Sequence, residues 1–416
     1  MHSSFLSHAR LGGVLALTGL AALSPITAHA STPTSAYRLT ILPTFGGGVN
    51  FSFGVNNTGQ VTGQSYTTGD LFYHAFLSTA PDALTPVQGV GAFDMRTLGG
   101  DYSVGYGVNT SGQVAGLSYI MPDTGNHAPL YDHAFLSGPS SVIPGQVGTP
   151  GKLKDLGTLG GLQSEAFGVN DSGQVTGFGE VASRAQHAFL SDANGGMLHD
   201  LGTLGGSSSV GRGINAAGEV IGESTKANGA THAFIFGTNG GPLRDLGTLG
   251  GTTSFASGVN ATGQVVGGAT TAGGATHAFL SALDGGVLSD LGTLGGTTSS
   301  ALGINDSGQV VGSATTASGA THAFLFSNGK MTDLNSLIPY GFLGNGYLVS
   351  ATAISNTGYI VGYTSGSPDL TRAFLLTSNA PAVPEASSVV SLGLMLMLGV
   401  GGVVFGGRRR KLGVHP

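Results

Sequence analysis

Histidine is the residue type in this sequence best suited to chemistry, and it recurs at regular intervals. Six histidines occupy the same tripeptide, His-Ala-Phe: His74, His133, His187, His232, His277 and His322. An imidazole can serve as a general base or a metal ligand, but both roles need several reactive groups at one point. The hexapeptide GATHAF begins at Gly229, Gly274 and Gly319, so the last three histidines are 45 residues apart. This spacing predicts one histidine in each structural repeat, and therefore a structural role.

Aspartate also recurs, in an Asp-Leu step after the His-Ala-Phe segment, at Asp155, Asp200, Asp245, Asp290 and Asp333. Because these aspartates repeat, they are better interpreted as hydrogen-bond acceptors at strand ends or in turns than as catalytic acids. The sequence contains no HExxH, GxSxG, CxxC or P-loop motif. The turns at Asn170 and Asn305 lack the alternating carboxylates and the final glutamate of a calcium loop. We therefore expect no enzymatic activity, no metal and no cofactor.

One alternative stays open: an enzyme that acts on polysaccharide as a hydrolase or lyase, with its site at a central opening of the fold. Such an enzyme would carry two carboxylates about 5–10 Å apart in one pocket. Catalytic groups would break the repeat pattern, so the candidates are non-repeated acids such as Asp101, Asp123, Glu165 and Glu180.

Turn residues divide each repeat into four short apolar segments that must position these side chains. In residues 245–289 the segments are SFASGVN, QVVGGAT, ATHAFLS and VLSDL, separated by turns rich in Asn, Asp and Gly. Val, Ile, Thr and Phe within the segments favour strands, and no helical periodicity interrupts them. The body of the chain is predicted to be all-β.

Seven units align on a Gly-Val-Asn or Gly-Ile-Asn stretch, at Asn56, Asn109, Asn170, Asn215, Asn260 and Asn305, with Ser355 in the seventh. Four strands repeated at this period predict a seven-bladed β-propeller of antiparallel blades over residues 31–380. The first segment, YRLTILPTFGG, aligns with a fourth strand, and the last unit ends after its third. Tyr37 to Thr44 should therefore complete the seventh blade. A β-solenoid or a two-sheet arrangement is the alternative.

Alternation along a strand places the histidine and phenylalanine of His-Ala-Phe on one face and alanine on the other. Because neighbouring blades cover both faces of a blade, we expect these histidines to be buried. A Ser or Thr hydroxyl or a backbone carbonyl would then supply the hydrogen-bond partner. In the seventh unit Arg372 takes the histidine's position.

The motifs LGTLGG, GVN or GIN, GQVVG and HAFL recur in fixed order from Tyr37 to Ser378. This combination resembles the HAF-repeat family of extracellular repeat proteins. The resemblance implies an exported protein and no defined activity. Unit seven departs from the family pattern at Ser355 and Arg372.

The N-terminus reads as a secretory signal peptide over residues 1–30. A positively charged start and an apolar run from Leu11 to Ile26 precede the small residues Ala28 and Ala30 of a cleavage site. Signal peptidase is expected to cut after Ala30.

The C-terminus combines three elements. Residues 387–407 carry no charge and predict a transmembrane helix, followed by the basic tail 408–416, which begins Arg408, Arg409, Arg410 and stays cytoplasmic. Residues 381–386 contain Val383, Pro384 and Glu385. The combination resembles the PEP-CTERM sorting tail of Gram-negative bacteria, although Ala386 stands where that family has a second proline. The resemblance implies an inner-membrane-anchored precursor that an exosortase-type protease releases to the surface or the matrix.

Charge and composition narrow the possible partners. Residues 31–380 contain ten Lys or Arg and twenty Asp or Glu, a formal charge of −10, which excludes the basic surface that nucleic-acid binding needs. Longer connections at 119–132 and 335–348 should share one face of the propeller, and those at 78–92 and 137–153 the other. The first two are rich in Tyr and Phe and could stack on sugar rings, but tolerated loop growth is the favoured explanation for them. The leading hypothesis is a non-enzymatic protein of the extracellular polysaccharide matrix that binds glycan or protein; a passive envelope protein is a further alternative.

Overall fold

The computed structural model describes residues 35–81, 91–121, 131–139, 151–237, 240–339, 341–344, 346–365 and 371–379. The strands in these ranges form seven four-stranded antiparallel sheets, which we call blades 1 to 7. No helix in these ranges is long and apolar enough to span a membrane. The predicted signal peptide, sorting motif, transmembrane helix and basic tail lie outside the described residues.

Each blade consists of four strands in chain order. Blade 1 contains β2 (Gly46–Val55), β3 (Val61–Thr67), β4 (Tyr73–Ser78) and β5 (Ala92–Asp94). Blade 2 contains β6 (Ser103–Val108), β7 (Val114–Tyr119), β8 (Asp132–Ser137) and β9 (Leu153–Asp155). Blade 3 contains β10 (Gly160–Val169), β11 (Val175–Val181), β12 (Gln186–Ser191) and β13 (Leu198–Asp200). Blade 4 contains β14 (Gly205–Ile214), β15 (Val220–Lys226), β16 (Thr231–Phe236) and β17 (Arg244–Asp245).

Blades 5 and 6 repeat the same order. Blade 5 contains β18 (Gly250–Val259), β19 (Val265–Thr271), β20 (Thr276–Ser281) and β21 (Leu288–Asp290). Blade 6 contains β22 (Gly295–Ile304), β23 (Val310–Thr316), β24 (Thr321–Ser327) and β25 (Lys330–Asp333). Two short 3₁₀ helices, Leu283–Gly285 and Leu334–Leu337, lie in or after these blades.

Blade 7 is assembled from both ends of the described chain. It contains β26 (Leu348–Ile354), β27 (Ile360–Thr364), β28 (Ala373–Ser378) and β1 (Tyr37–Ile41). Strand β1 pairs with β28 in antiparallel register, from Tyr37 opposite Ser378 to Ile41 opposite Phe374. The prediction of a seven-bladed propeller closed by its first strand is confirmed, and the solenoid alternative is wrong.

The turn after each first strand shows how the sequence specifies the hairpins. The side chain of Asn56 accepts hydrogen bonds from the backbone N–H groups of Thr58 and Gln60, at 3.1 and 3.0 Å. Gly59 has a φ of +83°, which glycine adopts without steric cost. The same Asn also reaches the next blade, because its amide nitrogen donates to the carbonyl of Asn109 at 2.9 Å. Equivalent bonds link Asn109, Asn170, Asn215, Asn260, Asn305 and Ser355 in turn.

The hydrophobic core lies between the blades. The phenylalanines of the third strands are at most 1% exposed: Phe76, Phe135, Phe189, Phe234, Phe279, Phe324 and Phe374. Burial of one such side chain contributes about 1.5–3 kcal/mol. The second strand carries a glycine beside the first strand's carbonyl, and a Cβ on Gly267 would lie 1.9 Å from the oxygen of Phe255. Any larger residue there would force the strands apart.

Buried hydroxyl groups join each blade to the next. In blade 4 the backbone N–H of Ala233 donates to Ser254 Oγ of blade 5 at 2.9 Å, and that hydroxyl donates to the carbonyl of Gly247. The same bridge recurs from blade 1 to blade 6, through Ser103, Ser164, Ser209 and Ser299. At the closing seam Asn50 replaces the serine and accepts from the N–H of Ala373 at 2.8 Å.

The ring has two faces, which we name by their repeated residues. The turns between first and second strands lie on the Asn face, with Asn56 and its equivalents. The turns between second and third strands lie on the His face, as do the connections from each fourth strand to the next blade. The connections at 119–132 and 335–348 thus leave from the His face, and those at 78–92 and 137–153 from the Asn face.

Candidate functional site

The repeated histidines do not converge on a site. Each is the second residue of a third strand and bonds through Nδ1 to the aspartate at the end of its own blade's fourth strand, at 2.7–2.9 Å in the shortest contact. The pairs are His74–Asp94, His133–Asp155, His187–Asp200, His232–Asp245, His277–Asp290 and His322–Asp333. These histidine side chains are 14–22% exposed, so the prediction of full burial is wrong. The expected Ser, Thr or carbonyl partner is also wrong, because a carboxylate occupies that role.

Each aspartate also accepts a backbone N–H from the turn that follows. Asp245 receives the N–H of Gly247 at 2.8 Å and an ion pair from Lys226 at 2.7 Å. Burial alone raises the pKa of Asp245, but hydrogen bonds from Lys226, Gly247 and His232 outweigh it and hold the pKa below its ordinary value. The pKa of Asp94 is lowered in the same way by His74 and Arg96 against the effect of burial.

Blade 7 has lost both members of the pair together. Arg372 stands at the histidine position, and the residue opposite Phe374 is Ile41, where blade 4 has Asp245 opposite Phe234. Because both residues are replaced together, the histidine and the aspartate act as one structural pair.

The departures from the repeat gather in one sector. Blades 4, 5 and 6 carry a Thr–Thr cross-strand pair where the second and third strands meet on the His face. The pairs are Thr225–Thr231, Thr270–Thr276 and Thr315–Thr321. In blades 1, 2 and 3 the same positions hold Tyr66–Tyr73, Tyr119–Asp132 and Glu180–Gln186. We expect a specific function in the sector where the Thr–Thr pairs are replaced by other residues.

Five aromatic rings on the His face form what we call the aromatic platform: Tyr66, Phe72, Tyr73, Tyr102 and Tyr119. Tyr102 is central, with ring centroids 4.7 Å from Tyr73, 5.3 Å from Tyr119 and 5.8 Å from Phe72. Tyr66 contacts Tyr73 at 5.5 Å. Phe72 is 37% exposed and the four tyrosines are half-buried, so the platform presents ring surface to solvent.

Two carboxyl groups meet beside this platform, between blades 2 and 3. Asp132, the cross-strand partner of Tyr119, lies near enough to Glu165 of β10 for each carboxyl group to affect the pKa of the other. We call this pair the carboxyl dyad. Asp132 is only 8% exposed, and its Oδ1 has no hydrogen-bond partner within the described chain. A buried acceptor without a donor costs about 1–3 kcal/mol of folding free energy.

The surroundings raise the pKa values of both carboxyl groups of the dyad. Burial, together with the charge of Asp132, raises the pKa of Glu165 to about 7, and burial also raises the pKa of Asp132. Burial is also the main reason that the pKa of Tyr73 rises to about 12 and that those of Tyr106 and Tyr119 rise. Glu165 therefore gains or loses its proton near pH 7, whereas the tyrosines remain neutral there.

The first strands enclose a central channel with a cavity of about 360 Å³. One residue per blade varies just before the Gly-Val-Asn stretch: Phe53, Tyr106, Phe167, Arg212, Ser257, Leu302 and Thr352. The aromatic residues and the arginine again fall in blades 1 to 4. Arg212 lies over the ring of Phe167 at 4.7 Å and pairs with Glu223 at 2.7 Å.

The non-repeated acids proposed from the sequence have different surroundings. Glu165 belongs to the dyad, whereas Glu180 accepts the N–H of Leu162 and pairs with Arg184. Asp123 lies outside the described residues. No group of three or more His, Asp or Glu suited to a metal occurs in the described ranges.

The predicted Tyr- and Phe-rich connections contribute little of the platform. Tyr119 begins the first connection and belongs to the platform, but residues 122–130 lie outside the described ranges. In the second connection Tyr347 packs against His322, with ring centroids 4.9 Å apart. Asp132, at the end of the first connection, was not predicted as a site residue. It occupies a position that is threonine in other repeats, and this difference is visible in the sequence.

The fold and this sector define the class of the molecule, a seven-bladed β-propeller with one diversified sector. No protein-family model matches the chain, and no curated protein matches it. Solved structures match at fold level: YCF48 bound to D1 peptide, with 11% identity, a TM-score of 0.48 and coverage of 84% of this chain and 99% of that one. TolB from Acinetobacter baumannii has 10% identity, a TM-score of 0.41 and coverage of 81% and 65%. Trypanosoma rangeli sialidase in complex with the inhibitor DANA has 11% identity, a TM-score of 0.40 and coverage of 89% and 59%. The chain thus spans less than two thirds of TolB and of the sialidase.

Proposed function

We propose that this protein is an exported, surface- or matrix-associated propeller that binds carbohydrate at the aromatic platform and does not cleave it. The observation that carries this proposal is the replacement of the Thr–Thr pairs by aromatic and acidic residues in adjacent blades. Sugar rings pack their C–H faces on aromatic rings, and carboxyl groups accept hydrogen bonds from sugar hydroxyls. The platform and the dyad supply both kinds of contact within one sector.

The location rests on the ends of the sequence. Residues 1–30 and the stretch from Val383 to Arg410 support processing by signal peptidase and by an exosortase-type protease, and the resemblance to HAF-repeat proteins supports the same destination. The charge of −10 over residues 31–380 is consistent with partners other than nucleic acid. The mass of the protein recovered from the cell surface tests this part. A chain that begins at Ser31 and ends near Glu385 is expected, and an uncut chain contradicts the proposed processing.

Binding is tested by pull-down of the protein with the producer's own exopolysaccharide. Tyr102→Ala removes the ring that contacts three others, and we expect about a threefold to tenfold weaker binding. Val287→Ala is the control, because Val287 is 82% exposed in another sector and its loss should leave binding unchanged. Equal binding by both variants contradicts the platform. No binding by the wild-type protein to any polysaccharide favours a passive envelope protein.

A hydrolase or lyase is the second candidate, because Glu165 has a pKa of about 7 and could transfer protons at neutral pH. Incubation of the polysaccharide with the protein, followed by measurement of reducing ends and of unsaturated products, separates the candidates. We expect neither product, and product formation that Glu165→Gln abolishes would establish the enzyme.

A further inference from the structure

The central channel has two unlike sides. Its cavity of about 360 Å³ is lined by one variable residue from each blade. In blades 1, 2 and 3 this residue is aromatic, and we call these three rings the aromatic wall: Phe53, Tyr106 and Phe167. In blades 5, 6 and 7 the residue has a smaller side chain: Ser257, Leu302 and Thr352. The cavity therefore has an aromatic side and a side that leaves space for a ligand.

The aromatic wall is a continuous surface. Tyr106 is central, with its ring centroid 5.2 Å from that of Phe53 and 5.0 Å from that of Phe167. All three residues are half-buried, so part of each ring faces the channel. Exposed ring surface offers dispersion contacts to the C–H groups of a ligand. The aromatic wall therefore favours a ligand with an apolar ring face.

Arg212 extends the aromatic wall into blade 4 and adds hydrogen-bond donors. Its guanidinium lies 4.7 Å from the ring centroid of Phe167 and donates to Glu223 at 2.7 Å. Arg212 makes no other hydrogen bond within the described ranges, although a guanidinium carries about five N–H donors. Its side chain is 40% exposed and lines the cavity, so donors remain open to the channel. Because Phe167 and Glu223 hold the guanidinium in place, a ligand would lose little binding free energy to its ordering.

The charges around the cavity favour a neutral ligand. Arg212 is the one charged residue among the described residues that line the cavity, and its pairing with Glu223 offsets its charge. The charge of −10 over residues 31–380 opposes the entry of an anion. A cationic ligand would be repelled by the guanidinium. A neutral polyol meets neither obstacle, and its hydroxyl groups can accept hydrogen bonds from Arg212.

We propose that the central channel binds a single neutral pyranose ring, whose C–H face packs on the aromatic wall and whose hydroxyl groups accept hydrogen bonds from Arg212. The cavity lies within the range of about 300–1,000 Å³ that is typical of small-ligand sites. The pyranose is either a free sugar or the end of a polysaccharide chain, since both present the same ring. This inference adds a second carbohydrate site to the proposed function and does not depend on the aromatic platform.

The test measures binding of the methyl glycosides of glucose, galactose and mannose by calorimetry, and we expect at least one of them to bind. Ser257→Phe gives blade 5 the residue that blades 1 and 3 carry at this position, so it fills part of the cavity and leaves the aromatic wall unchanged. We expect this variant to bind at least about tenfold more weakly. Ser318→Phe is the matched control, because it adds the same ring at an exposed turn of blade 6 and should bind as the wild type does.

A second variant tests the donors. Arg212→Leu introduces the residue that blade 6 carries at this position, and its loss of N–H groups should weaken binding by about fivefold or more. Thermal melts verify that each variant is folded. Tighter binding of methyl glucuronide than of methyl glucoside would overturn the neutral ligand. A hexasaccharide that binds as tightly as its methyl glycoside supports a chain end in the channel, and a hexasaccharide that does not bind supports a free sugar there.

The outcomes separate this inference from the proposed function. We expect Tyr102→Ala to lose the exopolysaccharide in the pull-down and to keep the methyl glycoside. Binding of no glycoside by the wild-type protein overturns the channel site, while the pull-down decides the platform independently. Glycoside binding that Tyr102→Ala removes and Ser257→Phe retains would assign the sugar to the platform and overturn the channel site.

Discussion

Leu42 offers a direct test of ring closure. It follows β1, is 1% exposed and packs at the seam between two blades that are joined only by closure. Its neighbours Val61 and Phe76 belong to blade 1, and Val361 and Leu375 to blade 7. The substitution Leu42→Ala removes three carbon atoms from this cluster and leaves the backbone hydrogen bond to Ala373 in place.

The cost follows from the burial. Three buried methyl or methylene groups at about 0.8 kcal/mol each give about 2.4 kcal/mol of lost transfer free energy. A cavity between two sheets collapses little, so we expect a total of about 3 kcal/mol, within the range of 2–5 kcal/mol for buried leucines. This corresponds to roughly a hundredfold change in the ratio of folded to unfolded protein.

Urea unfolding followed by circular dichroism measures the effect, with Val287→Ala as the control. Val287 is 82% exposed, so its substitution should change the free energy of unfolding by less than about 0.5 kcal/mol. A loss below about 1 kcal/mol for Leu42→Ala, with the control unchanged, would refute the closure of the seventh blade by the first strand.

Three further predictions concern stability. Phe279→Ala, at a fully buried ring, should lower the free energy of unfolding by about 3–5 kcal/mol in urea titrations, whereas a fully tolerated change would contradict the packing between blades. The folded-state pKa of Asp245 lies below 3.8, so its pairing stabilises the fold above that pH and is lost as the pH falls through the folded pKa. Acid unfolding of Asp245→Asn should therefore show a weaker dependence on pH than the wild type, and an identical acid midpoint counts against the pair. Glu165 is raised from 4.5 to about 7, so the stability it contributes is present below pH 4.5 and is lost as the pH rises through 7. Glu165→Gln should remove that loss, by about 1–3 kcal/mol at pH 8 relative to pH 5, and Asp284→Asn, at an exposed position of blade 5, should not.

The architecture was predictable because it depends on local and periodic features. Turn residues such as Asn56 and Gly59 mark every hairpin, and the strands between them are built from β-formers. The position of YRLTILPTFGG relative to the other repeats was enough to predict the pairing of β1 with β28. The same turn and strand residues recur in each repeat because each blade must satisfy the same steric requirements.

The histidine's partner was harder to predict, because hydroxyl groups are abundant in the sequence and a nearby carboxylate is not obvious. The pairing of His277 with Asp290 depends on the register between the third and fourth strands, which places Phe279 opposite Asp290. The joint change to Arg372 and Ile41 in the seventh unit was the available indication that the two residues form a pair.

The dyad could not be predicted from spacing. Asp132 and Glu165 belong to different blades, and their contact depends on how β8 and β10 pack across the interface. The sequence shows only that each replaces the common residue of its position. Comparison of each repeat with the next is the way to find such replacements.

The seam differs in chemistry from the five junctions between blades 1 and 6. Asn50 bridges to Ala373 where those junctions have serine, and its amide also donates to the carbonyls of Leu42 and Pro43. Blades 4 to 6 are nearly alike, and a newly made chain could match one of them with the wrong neighbour. A seam residue that differs from the repeated serine distinguishes the pairing of β1 with β28 from the other blade junctions, and this difference favours correct register when the ring closes.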